Sequence, residues 1–103
     1  MQVKRLTIET AREQVELFNR VFHLNWSSEE WLNKHSGNPY TEEYYVYGAL
    51  EGDKLVGVNG FILMNYCLGG EVFRIVQSCD TAVDPDFRRQ GIFSKIISKA
   101  MED

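Results

Sequence analysis

"AVDPDFRRQGIFSKII", residues 82–97, decides how this chain is read. It opens on the last two residues of a strand-like run and is broken at Pro85, which cannot donate to a β-ladder. It then gathers Arg88 and Arg89 before Gly91 and passes into helical periodicity. A loop that turns from a strand into a helix leaves backbone N–H groups free at the helix start, and with the helix dipole these make an anion site. Gly91 lets the backbone take an unusual dihedral or approach a ligand closely. Arg88 and Arg89 add donors suited to phosphate oxygens, and Gln90 adds a neutral one. The physical reading is a site for a phosphate-bearing ligand, with a pyrophosphate as the best fit. Basic residues near a surface loop are also common without any ligand, so the flanking strand and helix carry much of the inference.

The rest of the chain supplies that context. "VKRLTIE", residues 3–9, reads as a first strand with Leu6 and Ile8 on one face. "TARE", residues 10–13, is a capping box, with Thr10 and Glu13 expected to satisfy each other's backbone N–H. Ala11, Val15, Phe18 and Phe22 then follow at helical spacing, and the helix is expected to end near His23 to Asn25. "WSSEEW", residues 26–31, is a second helix start. Ser27 and Glu30 form its box, and Trp26 with Trp31 forms a hydrophobic staple. This helix should stop before Gly37 and Pro39.

Three strands are predicted next. "YYVYGALE" is followed by Gly52-Asp53, a hairpin signal with glycine first. "LVGVNGFILMNY" is a long second strand in which Gly57 and Gly60 suggest a bulge or close packing. Gly69-Gly70 turns the chain into "EVFRIVQSCDTAV", completing an antiparallel meander. The last helix should bury a stripe of Phe93, Ile96, Ile97, Ala100 and Met101 against the sheet. The expected fold class is α/β in the α+β sense, a mixed and mainly antiparallel sheet with helices packed on it. The order is β-α-α-β-β-β-α over a single domain, 1–103.

Composition narrows the function. The chain has 103 residues and a net charge of -4. That charge disfavours a general nucleic-acid or anionic-membrane binder. Cys67 and Cys79 have no ligand-like spacing, so no metal is expected. No stretch resembles a signal peptide or a membrane span, which makes a cytoplasmic location the expectation.

"AVDPDFRRQGIFSKII" resembles the acetyl-CoA-binding motif of the GNAT superfamily of N-acetyltransferases, Arg/Gln-x-x-Gly-x-Gly/Ala after a strand that ends in a Val-x-Pro-like turn. Arg88 falls on the first position, Arg89 and Gln90 on the variable ones, and Gly91 on the invariant glycine. Phe93 departs from the Gly/Ala position, with its side chain expected to point into the core. The match is specific at residue level from about Ala82 to Ile96, and the order of elements extends it along the chain. The resemblance implies that backbone near Ala82 and Val83 binds the pantetheine arm. It also implies that the N–H groups of Arg89, Gln90, Gly91, Ile92, Phe93 and Ser94 hold the pyrophosphate. The implied activity is acetyl transfer from acetyl-CoA to a primary amine, with no metal.

In that fold further strands follow the motif helix, so the resemblance implies an incomplete domain with its C-terminal strands missing. The last strand would then keep an open edge that invites pairing with a second copy or a partner. A non-catalytic acyl-CoA-binding module is the alternative function. The residues name no catalytic pair outright. Asp80 is the base candidate, although orienting the following loop is its commoner role. Cys79 reads as core, and His23 and His35 as capping or surface residues. The tyrosines from Tyr40 to Tyr47 read either as an acceptor-site lining or as half-buried strand aromatics.

Overall fold

The computed structural model describes residues 1–36 and 44–102. Four strands form one antiparallel sheet in the order β1 (Gln2–Arg5), β2 (Val46–Glu51), β3 (Lys54–Leu68) and β4 (Glu71–Val83). Three helices accompany it: α1 (Ala11–Phe22), α2 (Ser28–Ser36) and α3 (Ile92–Glu102). No helix among the described residues is long and apolar enough to cross a membrane.

The register puts alternate residues on opposite faces and so makes two cores. Val58 pairs with Gly48 and Ala82, and this face packs against Val15, Leu17 and Phe18 of α1 and Trp31 of α2. Gly57 pairs with Ala49 and Val83, and this face packs against Ile92 and Ile96 of α3. Gly57 has a steric reason to be glycine: a Cβ there would lie 2.7 Å from Cγ2 of Ile92. Gly52 turns the β2–β3 hairpin with φ 62, as the glycine-first signal predicts. Beyond the Val46–Gly60 pair, β3 and β4 run on as a two-stranded arm, on which Tyr66, Leu68, Val72, Phe73 and Val76 are exposed.

Local sequence signals succeed where no tertiary contact competes. The α2 box forms as read: the Glu30 N–H donates to Ser27 Oγ at 3.0 Å, and the Ser27 N–H donates to Glu30 Oε1 at 3.1 Å. Trp26 and Trp31 meet through Phe18, whose ring lies 6.3 and 5.2 Å from theirs. Gly37 and Pro39, read as ending α2, lie outside the described residues.

Three readings are corrected. The first strand ends at Arg5, and Ile8 sits exposed in a 3-10 turn over Ile8–Thr10. The Thr10 box is not made, because Thr10 Oγ1 instead accepts the Gln14 side-chain amide at 2.9 Å. Gln14 is fully buried, and its oxygen accepts Trp31 Nε1–H at 2.9 Å and the Tyr44 hydroxyl. That buried network outweighs an exposed cap. Finally, the seam of α3 is Ile92 and Ile96 with Ala100 beside them, whereas Phe93 is 46% exposed and Met101 82%. Phe93 therefore does not point into the core. The helix is rotated so that Ile92 fills the space above Gly57.

Candidate functional site

The 82–94 segment is built in three steps. Asp84 donates its backbone N–H to Val56 at 2.8 Å, closing the sheet. It takes the extended conformation (φ -53, ψ 129) favoured before Pro85. Its side chain is buried, and Oδ1 accepts the Asp86 N–H at 2.9 Å, capping a 3-10 turn over Pro85–Phe87. Oδ2 receives Arg20 of α1 at 2.7 Å and Lys54 of β3 at 3.6 Å. The Asp86 N–H first, with Lys54 and Arg20, holds the Asp84 carboxyl below its usual range against the opposing effect of burial. One buried carboxylate thus ties the loop to a helix and a strand.

The loop then makes two left-handed residues, Arg89 (φ 68) and Gly91 (φ 69). Gly91 is the N-cap of α3, its carbonyl accepting the Lys95 N–H at 3.0 Å. A Ser, Thr or Asp cap would place a side-chain oxygen on the N–H of Phe93 or Ser94. Glycine leaves those donors for a ligand. A cleft of about 220 Å³ opens here, lined by Val83, Phe87, Arg88, Arg89, Gly91, Ile92, Phe93 and Ser94. Seven of the nine residues named from sequence therefore line one space. Gln90 is exposed outside it, and Ala82 is buried on the α1 face of the sheet. The exposed Phe93 ring forms part of the cleft wall.

A second grouping went unread in the sequence. β4 carries a bulge where the register slips between the pairs Val58–Ala82 and Gly60–Cys79. At the bulge Asp80 is left-handed, φ 52. Asn59 fastens it across the ladder by accepting the hydroxyls of Ser78, at 3.1 Å, and Thr81. Strict alternation would put Cys79 and Asp80 on opposite faces. The bulge instead gathers Cys79, Asp80 and His35, with ligand-type atoms all within 4.8 Å of one another. His35 is buried and not on the surface as read; its Nε2 lies 3.0 Å from Asp80 Oδ2. Lys34 Nζ lies 2.8 Å from the same oxygen and already supplies a cation there.

These contacts change the reading of Asp80. Burial raises its pKa, but the hydrogen bonds from His35 and Lys34 outweigh that and hold the carboxyl below its ordinary value. A carboxylate so held is a weak proton acceptor. Burial, with Asp80 beside it, pushes the Cys79 thiol up to about 11, which keeps it protonated and a poor nucleophile. The tyrosines are not brought together. Tyr44 belongs to the Gln14 network, Tyr45 lies under Arg5, Tyr47 is buried on the α3 face, and Tyr40 lies outside the described residues.

Both lowered carboxyls make a prediction. Each contributes stability that is complete above the unfolded-state value of about 4 and is lost as pH falls through the lower folded value. Denaturant midpoints measured from pH 7 to pH 2.5 should show Asp80→Asn and Asp84→Asn less stable than the parent at pH 7. The difference should shrink on acidification. A gap that stays constant with pH would contradict the assignment.

Comparison with known proteins agrees with this architecture. The model of the acetyltransferase (GNAT) domain matches residues 2–103. A protein of Melanoplus sanguinipes entomopoxvirus, named as a candidate glycylpeptide N-tetradecanoyltransferase, is 28% identical over 87 residues, covering 72% of this chain and 29% of its own. A conserved protein of unknown function from Enterococcus faecalis V583, described as an N-acyltransferase candidate, superposes with a TM-score of 0.81 at 20% identity, over 99% of this chain and 25% of that one. An aminoglycoside acetyltransferase from an uncultured soil metagenomic sample, solved with sisomicin, superposes with a TM-score of 0.71 at 27% identity, over 98% of this chain and 67% of that one. The chain thus spans under a third of the viral relative and of the Enterococcus protein. With the family model matched along almost its whole length, the chain belongs to the GNAT acetyltransferase family, and its sheet, expected as mixed, is antiparallel throughout the described residues.

Proposed function

We propose that this chain holds the acyl donor of an acyl-CoA-dependent N-acyltransferase, with acetyl-CoA as donor and a primary amine as acceptor. The observation that carries the reading is the glycine-capped start of α3, flanked by Arg88 and Arg89 and opening onto the end of β4. The pyrophosphate sits on the N–H groups from Arg89 to Ser94, and the two arginines balance its charge. Among the described residues no strand pairs with the outer edge of β4. Because Asp84 gives its N–H to β3, alternation turns the polar groups of Val83 outward. That edge offers the amide-bearing pantetheine arm a strand to lie along, with Val83, more than Ala82, as its partner.

In the reaction the neutral amine nitrogen attacks the thioester carbonyl. A C–N bond forms, the C–S bond breaks, and the coenzyme A thiolate leaves and takes up the proton that nitrogen sheds. Calorimetry with acetyl-CoA tests the donor site. The parent chain should bind one equivalent. Arg88→Glu should weaken binding at least tenfold, since a charge-assisted hydrogen bond is worth about 1.5–3 kcal/mol. Absence of binding by a chain with a cooperative melting transition would defeat the proposal.

A further inference from the structure

A second cleft, of about 460 Å³, lies on the α1 face of the sheet, between the end of α1 and the β4 bulge. Phe18, Phe22 and Leu24 form its apolar side, and Asp80 and Thr81 its polar end. Two of the apolar groups stand well out in solvent, Phe22 at 48% and Leu24 at 41% exposure. They are held there by a well-tied turn. The α1 helix closes at left-handed His23 (φ 55), and the N–H groups of His23 and Leu24 both reach the Asn19 carbonyl. The Asn19 side chain clasps the next stretch, donating to the Trp26 carbonyl at 2.8 Å and accepting the Trp26 N–H at 3.0 Å. The Phe22 ring leans on Phe18 with centroids 4.9 Å apart. Exposing a Phe and a Leu forgoes hydrophobic stabilisation, and a turn tied at four backbone and side-chain bonds keeps them from collapsing elsewhere.

The cleft and the Gly91 loop lie on opposite faces of the sheet but share one strand. Asp80 and Thr81 precede Val83 on β4 by two or three residues, about 7–10 Å of strand. A thioester carried down the open edge of β4 from the loop arrives beside the cleft.

We infer that this cleft receives the acceptor and that it selects a monoamine carried on an apolar or aromatic group. The inference rests on the acyl-donor reading of the loop. An arriving amine finds the Asp80 carboxylate at the polar end, while its organic group covers Phe22 and Leu24. Asp80 already has Lys34 as a partner, and Lys34, partly exposed, exchanges to solvent when one ammonium takes its place. One carboxylate matches one cation, and the bound ammonium gives its extra proton to bulk water before the neutral nitrogen attacks. A polycationic sugar would bring further ammonium groups against two phenyl rings and an isobutyl group with nothing to pair them.

Heteronuclear NMR titration of the whole chain tests this, with and without saturating coenzyme A. The probes are 2-phenylethylamine, hexylamine, glucosamine and kanamycin. The two apolar amines should shift the amides of Phe22, Leu24, Asp80 and Thr81 and bind at least tenfold more tightly than glucosamine or kanamycin. Phe22→Ser and Leu24→Ser, both at solvent-facing positions, should each weaken 2-phenylethylamine by about fivefold or more. Equal or tighter binding of the polar amines, shifts confined to other surfaces, or serine variants that bind like the parent would each overturn the inference. Coenzyme A shifts at residues 88–94 without any amine response at the cleft would reject the acceptor assignment and leave the donor site standing. Absence of the coenzyme A response itself would reject the donor reading.

Discussion

Gly91→Glu is expected to abolish acetyl-CoA binding, with a loss of at least a hundredfold, while leaving the fold in place. The position has room: no heavy atom lies within 4 Å of where a Cβ would be. It also has a conformational demand, φ 69, which costs an L-residue roughly 1–2 kcal/mol. That strain falls in an exposed loop and should lower the melting temperature by about 4–16 °C for a domain of this size, at about 4–8 °C per kcal/mol. Its electrostatic effect is larger. A carboxylate at the cap of α3 faces the same N–H groups as a pyrophosphate. Two unit charges 4 Å apart near a protein surface repel by about 4 kcal/mol at an effective dielectric of 20. The new carboxylate also competes for the free donors of the first turn. Gly91→Ala separates the two effects, because Ala carries the left-handed strain but neither a charge nor an oxygen to cap the helix. It should retain binding to within tenfold. If Ala fails as completely as Glu, the demand at this position is for backbone shape and the charge argument falls.

How much of this was legible depends on how far apart the determining residues stand. Ser27 and Glu30 are three residues apart, and their box forms as written. Gly52 announces its own turn. The 88–94 loop is readable because strand, breaker, basic residues and glycine follow one another within a few residues, and the fold keeps them in one cleft. The Thr10 box has the same local pattern but fails, because Gln14 must satisfy itself against Trp31 and Tyr44, 17 and 30 residues away. The α3 stripe shows a subtler limit. Ile92, Ile96 and Ala100 share one face at i, i+4, i+8, but Phe93 and Met101 are equally apolar in composition. Only the bare backbone at Gly57 decides which residues go under. The cluster of His35 with Asp80 was out of reach. It spans 45 residues and depends on a left-handed aspartate inside a strand, for which an alternating sequence carries no mark. The cleft beside it inherits the same invisibility.

Gly60→Ala is the test of that long-range cluster, and one methyl group should be severely destabilising. Gly60 is not left-handed, so alanine meets no backbone strain there, and the effect must be steric. A Cβ would lie 2.3 Å from Cε1 of His35 and 2.8 Å from its Nδ1. The ring has nowhere to go. Its side chain is fully buried, its ring centroid 4.4 Å from that of Trp31 at a tilt of 49° and its Nε2 3.0 Å from Asp80 Oδ2. Moving it overpacks the α2 face, at about 1–3 kcal/mol, and breaks a buried polar contact, at about 1–3 kcal/mol more. A total near 3 kcal/mol corresponds to a fall in melting temperature on the order of 15 °C. The sharper measurement is a double-mutant cycle. His35→Ala alone should also destabilise, because it leaves a cavity and removes a partner from Asp80. In its background, however, the methyl at position 60 enters the vacated space. Gly60→Ala should then cost less than 1 kcal/mol, a coupling of about 2 kcal/mol between the two sites. Additive losses would show that the glycine is required for something other than the imidazole above it. The pinning of α2 to the β4 bulge, on which the position of Asp80 at the acceptor cleft depends, would then need another cause.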